Sequence, residues 1–232
     1  MQHLRPGDFV ERLNFCKWLN GSRQLHRYIL FTDEAQSNRE GVNNTHNSHV
    51  CADENPHANV ESNFQQRFSV NVWCAVLDDQ LIGPFILDGR LTGEAYLRFL
   101  QEELPQLLED VPLDKRGRMY SQHDGAPPHS SRGVTNFLNY CFPGRWIGRC
   151  SPHHLPARSP DLSPLDYCVW GWTKELVYSV KVGTQDALLG RILDAADRIR
   201  NSQQKLKQTT HAIHNRAAAC VVAGSGIFEN QL

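Results

Sequence analysis

The alternation of apolar and polar residues divides the chain into short elements of mixed type. Residues 8–19 (DFVERLNFCKWL) set Phe9, Leu13 and Cys16 on one helical face, continued by Leu19 or Trp18, with Asp8 as the cap. Gly21 and Ser22 break that helix. The apolar burst from Tyr28 to Phe31 is too short for a helix and predicts a strand ending at Asp33. Residues 35–63 are polar and rich in Asn and His, which predicts turns with short strands, one around His49 to Ala52. Phe68 to Leu77 and Leu81 to Leu87 flank a DDQ turn and predict a hairpin.

Thr92 is a candidate cap for a helix from Glu94 to about Leu108, where Leu97, Leu100, Leu104, Leu107 and Leu108 fall at helical spacing. Pro105 is expected to kink that helix or end it early. Arg118 to His123 predicts a short internal strand delivering Asp124, and Gly125 to Pro128 turns the chain. Ser130 or Ser131 then caps a helix to about Asn139, and Trp146 to Gly148 predicts an edge strand. Pro152 to Pro164 holds four prolines in thirteen residues and predicts an ordered, extended loop. Pro164 suits the first turn of a helix through Leu165, Val169, Trp172 and Leu176. Thr184 opens a longer helix marked by Leu188, Ile192, Ala195 and Ile199, and a last helix covers about Gln204 to Val222. Strands interleaved with helices in this order predict the α/β class, a mixed central sheet flanked by helices.

Composition narrows the function. The 232 residues carry no apolar run of eighteen, so no membrane span is expected, and MQHLRPGDFVERLNF lacks the apolar core of a secretion signal. Seven cysteines stand alone with no CxxC pair, which argues against a disulfide framework and against zinc. The net charge of -1 hides an asymmetry. Residues 1–114 hold nine Lys/Arg against seventeen Asp/Glu, and residues 115–232 hold fifteen against eight. A basic second half suits a polyanionic partner if the charges share a surface. Arg132, Arg145, Arg149, Arg158, Lys205 and Lys207 are the candidate phosphate contacts.

Three acidic elements carry the candidate chemistry. Asp33 closes an apolar strand, with Glu34 beside it, and only one of the two can face a site because strand side chains alternate. Asp124 follows a second apolar strand and precedes Gly125, which would allow close backbone approach. Asp161 and Asp166 compete for a third role: Asp161 has the setting of a loop or capping residue, and Asp166 falls in the first turn of the helix begun at Pro164. His123 and His129 flank Asp124 at a spacing better suited to hydrogen bonding or packing than to metal ligation. Three converging carboxylates suit magnesium or manganese, and two such ions could serve an in-line displacement at phosphorus. Ions about 3.5–4 Å apart would draw the carboxylates to within roughly 4–7 Å of one another. Neither a GxxxxGK nor a GxSxG motif occurs, which excludes a phosphate-cradling P-loop and weakens a serine hydrolase reading.

These segments resemble the catalytic domain of mariner-type DDE/DDD transposases. FTDEA (Phe31 to Ala35) matches the first acidic motif, QHDGAPPH (Gln122 to His129) the second, and SPDLSPLD followed by YCVWGWTKELVY the third. FPGRWIG, NSHVCADENPH and IGPFILDGRLTGEAYLRFL are similar to insect-type members. The resemblance implies a ribonuclease-H-like fold over 25–232, with 1–24 as a helical lead-in. It implies Asp33, Asp124 and Asp166 as catalytic and metal-binding carboxylates, with Gly125, Asp161 and Pro164 as structural neighbours. It further implies Mg2+ or Mn2+, double-stranded DNA at transposon ends, a homodimer and a nuclear location. The implied chemistry is hydrolytic nicking followed by strand transfer. The family's paired N-terminal helix-turn-helix modules have no counterpart in the sequence. Forty-one residues separate Asp124 from Asp166, a longer gap than in many relatives, and GRCSPHHLPARSPD departs from the expected pattern. Those departures favour, as the alternative, a noncatalytic domesticated or degenerate DNA-binding or interaction protein.

Overall fold

A computed structural model gives the fold for residues 3–39, 42–43 and 68–229. The expected strand around His49 to Ala52 lies outside the described residues.

Seven strands form one mixed sheet in the order β4-β3-β1-β5-β6-β7, with β2 paired to the far end of β1. Strand β1 (Ile29–Asn38) is central. It runs antiparallel to β3 (Ser69–Leu77), from Leu30 opposite Leu77 to Asn38 opposite Ser69. β2 (Val42–Asn43) returns against its polar end. β3 turns at Asp78 into β4 (Gln80–Leu87), the predicted hairpin. On its other side β1 runs parallel to β5 (Tyr120–Gln122), which pairs in parallel with β6 (Trp146–Gly148) and that with β7 (His153–His154). The predicted edge strand over Trp146 to Gly148 is therefore internal, because β7 forms inside the Pro-rich loop and covers it.

The strand predicted to end at Asp33 continues five residues further. Residues 33–38, polar apart from Ala35, have weak strand propensity of their own. Their backbone groups are paired along the whole length of β3, whose Val70, Val72, Trp73 and Val76 favour extended backbone. Asp33 is consequently an interior strand residue.

Alternation along the strands builds two cores. Ile29, Phe31, Ala35, Val72 and Val76 face α1 (Pro6–Asn20), α6 (Trp170–Val177), α7 (Gln185–Arg200) and α8 (Gln203–Val222). Leu30, Trp73, Ala75 and Leu77 face α2 (Gly93–Arg98), α3 (Leu104–Leu107) and α5 (Arg132–Cys141). A short helix α4 (Leu113–Arg118), which the pattern did not predict, leads into β5. Phe15, Cys16 and Leu19 of α1 are buried in the first core, so this helix is packed with the sheet. Phe9 of the predicted apolar face is 38% exposed.

Capping residues are where sequence reasoning placed them. Thr92 accepts from the Ala95 N–H at 3.1 Å, and Thr184 from the Ala187 N–H at 3.2 Å. Two expected caps differ: Ser131 stands at the N-cap of α5 but its side chain makes no capping hydrogen bond, and Asp8 lies in the third position of α1 and accepts from the Arg5 N–H at 2.7 Å, one turn earlier than a cap at its own position. The α2–α3 segment widens into a π-helical turn over Phe99–Glu103 just before Pro105, which has no N–H for a helical bond. A second π-helical turn, Leu165–Val169, follows Pro164 and runs into α6. The predicted extended loop over Pro152–Pro164 is extended as a strand only at His153–His154; a turn at Ala157–Arg158 and a 3-10 turn at Pro160–Leu162 follow.

Candidate active site

The sheet brings Asp33 and Asp124 to one level. Phe31 lies opposite Gln122 in the parallel β1–β5 pair, so two residues further along each chain Asp33 stands beside Asp124. Asp33 shares the parity of Phe31 and Ala35 and points toward α6, where its Oδ2 accepts from Trp170 Nε1–H at 2.7 Å. Glu34 takes the opposite face. Alternation therefore assigns the two neighbouring acids to different surroundings.

Asp166 arrives from the π-helical turn Leu165–Val169. Leu165 and Val169 anchor that turn in the core, and Trp170, four residues after Asp166, binds Asp33. Asp33, Asp124 and Asp166 line a single cleft of about 600 Å³. Arg149, His154 and Arg158 form part of the same wall. A second cavity, of about 490 Å³, opens beside Gln36, Asn71, Asp88 and Arg90, and none of the three acids lines it.

The electrostatics of the cleft centre on Asp33. Burial, and then the negative charges of Asp166 and Glu34, push its carboxyl well above the usual range; the Trp170 hydrogen bond opposes this and Asp124 adds to it. Such mutual repulsion is what a bound cation relieves. The donor set is hard oxygen, which fits magnesium or manganese by chemistry. Among the described residues, however, no three His, Cys, Asp or Glu side chains are gathered closely enough to hold an ion. All three carboxylates nevertheless line the same cleft, and the charges of Asp166 and Asp124 act on Asp33.

Asp124 is held by its own turn. Its Oδ1 accepts from the Ala126 N–H at 2.9 Å and lies 2.5 Å from Nδ1 of His129. His129 is buried, and its Nε2 is 3.4 Å from Oε2 of Glu34. Burial opposes a charge on this ring, but the charge of Glu34 and the hydrogen bond to Asp124 prevail and lift it to about 10. His123 is also buried, and burial followed by the charge of His129 pushes it down to about 4. Its ring stacks on Trp146 at 5.5 Å. A Cβ on Gly148 would come within 3.0 Å of that ring, so the close approach of β6 depends on glycine here. The expected hydrogen-bonding and packing roles of the two histidines match this geometry.

Asp161 has a different role from Asp166. It is buried and receives both terminal nitrogens of Arg12, at 2.8 and 2.6 Å. Arg12 also donates to Ser159 Oγ and to the Ser225 carbonyl, joining α1, the Pro-rich loop and the end of α8. Pro164 is buried beside them. Gly125 is exposed, and a Cβ there would meet only the Arg149 side chain at ordinary contact distance, so no tight approach requires glycine at this position.

The basic candidates are dispersed. Arg149 is exposed on the cleft wall. Arg158 lines the cleft while its guanidinium grips Asp8. Arg145 donates to the carbonyls of Gly117 and Met119. Arg132 is exposed at the start of α5. Lys205 lies over the Trp172 ring at 3.6 Å, and Lys207 is half-buried on the same helix. Trp146 and Trp170 are core residues. Sequence reasoning missed two contacts, Trp170 with Asp33 and Glu34 with His129. The helical spacing of Asp166 and Trp170 was the available signal for the first.

No protein-family description and no curated protein matches the chain. Solved structures do. The Mos1 transposase paired-end complex with left transposon end superposes with a TM-score of 0.71 at 20% identity, covering 98% of this chain and 65% of that one. A pre-cleavage Mos1 transpososome gives 0.72 at 19%, covering 98% and 66%. The Mos1 transposase catalytic domain with Raltegravir and Mn gives 0.70 at 19%, covering 99% of this chain and 100% of that one. The chain thus spans about two-thirds of the transposase chains in the DNA complexes and the whole length of the catalytic domain. A mixed sheet with helices on both faces, matched at a TM-score of 0.70, is the ribonuclease-H-like fold of the Mos1 mariner transposase catalytic domain.

Proposed function

We propose that this chain is a divalent-metal-dependent phosphoryl-transfer domain acting on DNA: it hydrolyses one phosphodiester to free a 3′ hydroxyl, whose oxygen then attacks a phosphorus of a second strand and displaces that strand's own 3′ oxygen. The observation that carries this reading is the meeting of Asp33, Asp124 and Asp166, from three separate elements, in one cleft with Arg149 and Arg158. The metal-bound Mos1 structures, with Mn and with Mg, support the choice of ion. Magnesium or manganese, held as two ions by these carboxylates, would supply activation of the attacking oxygen and stabilisation of the leaving one. Asp33 and Asp166 provide the negative charge that recruits the cation, and Asp124 holds its plane through Ala126 and His129. Arg149 offers a guanidinium to a backbone phosphate at the cleft mouth, and Arg158, tethered to Asp8, lines the same wall. Arg132, Arg145, Lys205 and Lys207 would contact DNA only outside this cleft, and Lys205 and Lys207 would do so from α8. The proposed partners are double-stranded DNA, by likeness to the Mos1 transposase paired-end complex with left transposon end, and a second copy of the chain; the proposed location is the nucleus.

The purified chain is expected to nick double-stranded DNA with Mn2+. Alanine at Asp33, Asp124 or Asp166 should each lower the rate by at least about 10³-fold, an order set by the stabilisation such ions give. Nicking that survives all three substitutions rejects the reading. A second reading is noncatalytic DNA binding, which draws on the lack, among the described residues, of a ready-made group of three His, Cys, Asp or Glu side chains for a metal ion. Salt-dependent DNA retention with no nicking at any Mn2+ concentration would select it.

A further inference from the structure

His129 is a buried ring between two strands that carry the acids. One nitrogen meets Asp124, just past β5, at 2.5 Å, and the other faces Glu34 on β1 at 3.4 Å. The ring is also packed against Tyr96 of α2, with centroids 4.2 Å apart, and against His123 at 5.2 Å. Glu34 is the chain neighbour of Asp33 and stands on the opposite face of β1. A grip on Glu34 therefore fixes the back of the strand at the level where Asp33 meets the cleft.

We propose that His129 is a positioning residue, a clasp that ties Asp124 to Glu34 and so sets the separation of the Asp33 and Asp124 carboxylates across β1 and β5. The inference rests on the metal-dependent reading above. Metal-ligating carboxylates are themselves oriented by hydrogen bonds, and loss of such a partner costs about 10–100-fold in metal affinity. Two hydrogen bonds converge on one oxygen of Asp124, from the Ala126 N–H and from His129, and together they fix the plane of the carboxylate. A fall in metal affinity with the melting temperature unchanged is therefore the signature of positioning, which a loss of packing alone does not give.

The test is Mn2+ binding, read by loss of the electron paramagnetic resonance signal of free Mn2+, on the described chain and its variants, with thermal melts alongside. His129→Leu should weaken Mn2+ binding about 10-fold or more. His129→Asn keeps a donor near the Asp124 side of the ring, His129→Gln one near the Glu34 side. Each should fall between His129→Leu and the unsubstituted chain. If His129→Leu does not fold, the Asn and Gln variants decide the matter. Affinity equal to or tighter than that of the unsubstituted chain in the folded variants overturns the clasp. Asp124→Asn separates the two levels of the argument. If the unsubstituted chain binds no Mn2+, or Asp124→Asn binds it as well, the metal-dependent reading falls and the clasp with it. If Asp124→Asn abolishes binding but the His129 variants leave it unchanged, the clasp alone falls.

Discussion

Arg12 meets Asp161 through two parallel N–H···O bonds at a position closed to water, and the pair joins three distant segments. Breaking such a pair leaves one charge buried without its partner, at a cost of about 3–5 kcal/mol. Asp161→Ala is thus expected to lower unfolding stability in urea by that amount. Asp166→Ala, five residues on, should cost much less, because Asp166 is only half-buried in a cleft where like charges repel. Asp33 should behave in the opposite sense. Its carboxyl is disfavoured as an anion by burial and by Asp166 and Glu34, so the folded state resists ionisation that the unfolded chain permits. That penalty is absent below the ordinary carboxylate range and grows as pH rises above it. Asp33→Asn should therefore raise the melting temperature at pH 7 without divalent metal, while abolishing nicking; an unchanged or lower melting temperature would contradict the repulsion argued for the cleft.

At the scale of elements, local signals served helices better than strands. Thr92 and Thr184 cap where their positions predicted, because a cap needs only a hydroxyl, one turn of backbone and an apolar stripe behind it. Thr184→Ala is expected to cost about 1 kcal/mol, measurable as a shift in the urea midpoint. The extent of β1 was not legible, since residues 34–38 are polar apart from Ala35 and are strand only by virtue of β3 beside them. The same holds for β7, two histidines that become a strand by pairing with β6 and so convert an expected edge into an interior strand. The π-helical turn at Leu165–Val169 was hidden too. Its i to i+5 bonding turns Asp166 and Trp170 toward Asp33 together, a choice made by the packing of Leu165 and Val169.

Across the whole molecule, α8 closes the structure against the segment before β1. His26 is buried there, its ring 4.4 Å from His211 and 4.6 Å from His214 on α8. Asp78, bound by Arg27 and Lys115, faces the same cluster. Burial, then the charges of His214 and His211, push His26 down to about 4, with Asp78 opposing and Arg27 adding. A histidine depressed on folding takes up its proton more readily when unfolded, so stability falls as pH drops from about 6.5 toward about 4 and levels off below. The contribution is roughly 3 kcal/mol over that window. His26→Leu should flatten this part of the stability profile, and a profile as steep as before would exclude His26 as its source.

By itself the amino-acid sequence determined the elements whose signals are local: apolar runs, caps, prolines, and three acids each placed beside a strand or a helix start. That was enough for the α/β class and for Asp33, Asp124 and Asp166 as candidates. Only the tertiary structure decided which of two adjacent acids faces the cleft, which of two acids in the Pro-rich segment is buried against an arginine, and how His129 joins Asp124 to Glu34. Those outcomes depend on strand register, and on which helix packs over each sheet face. Both are set by contacts between residues far apart in the chain, which no local window contains.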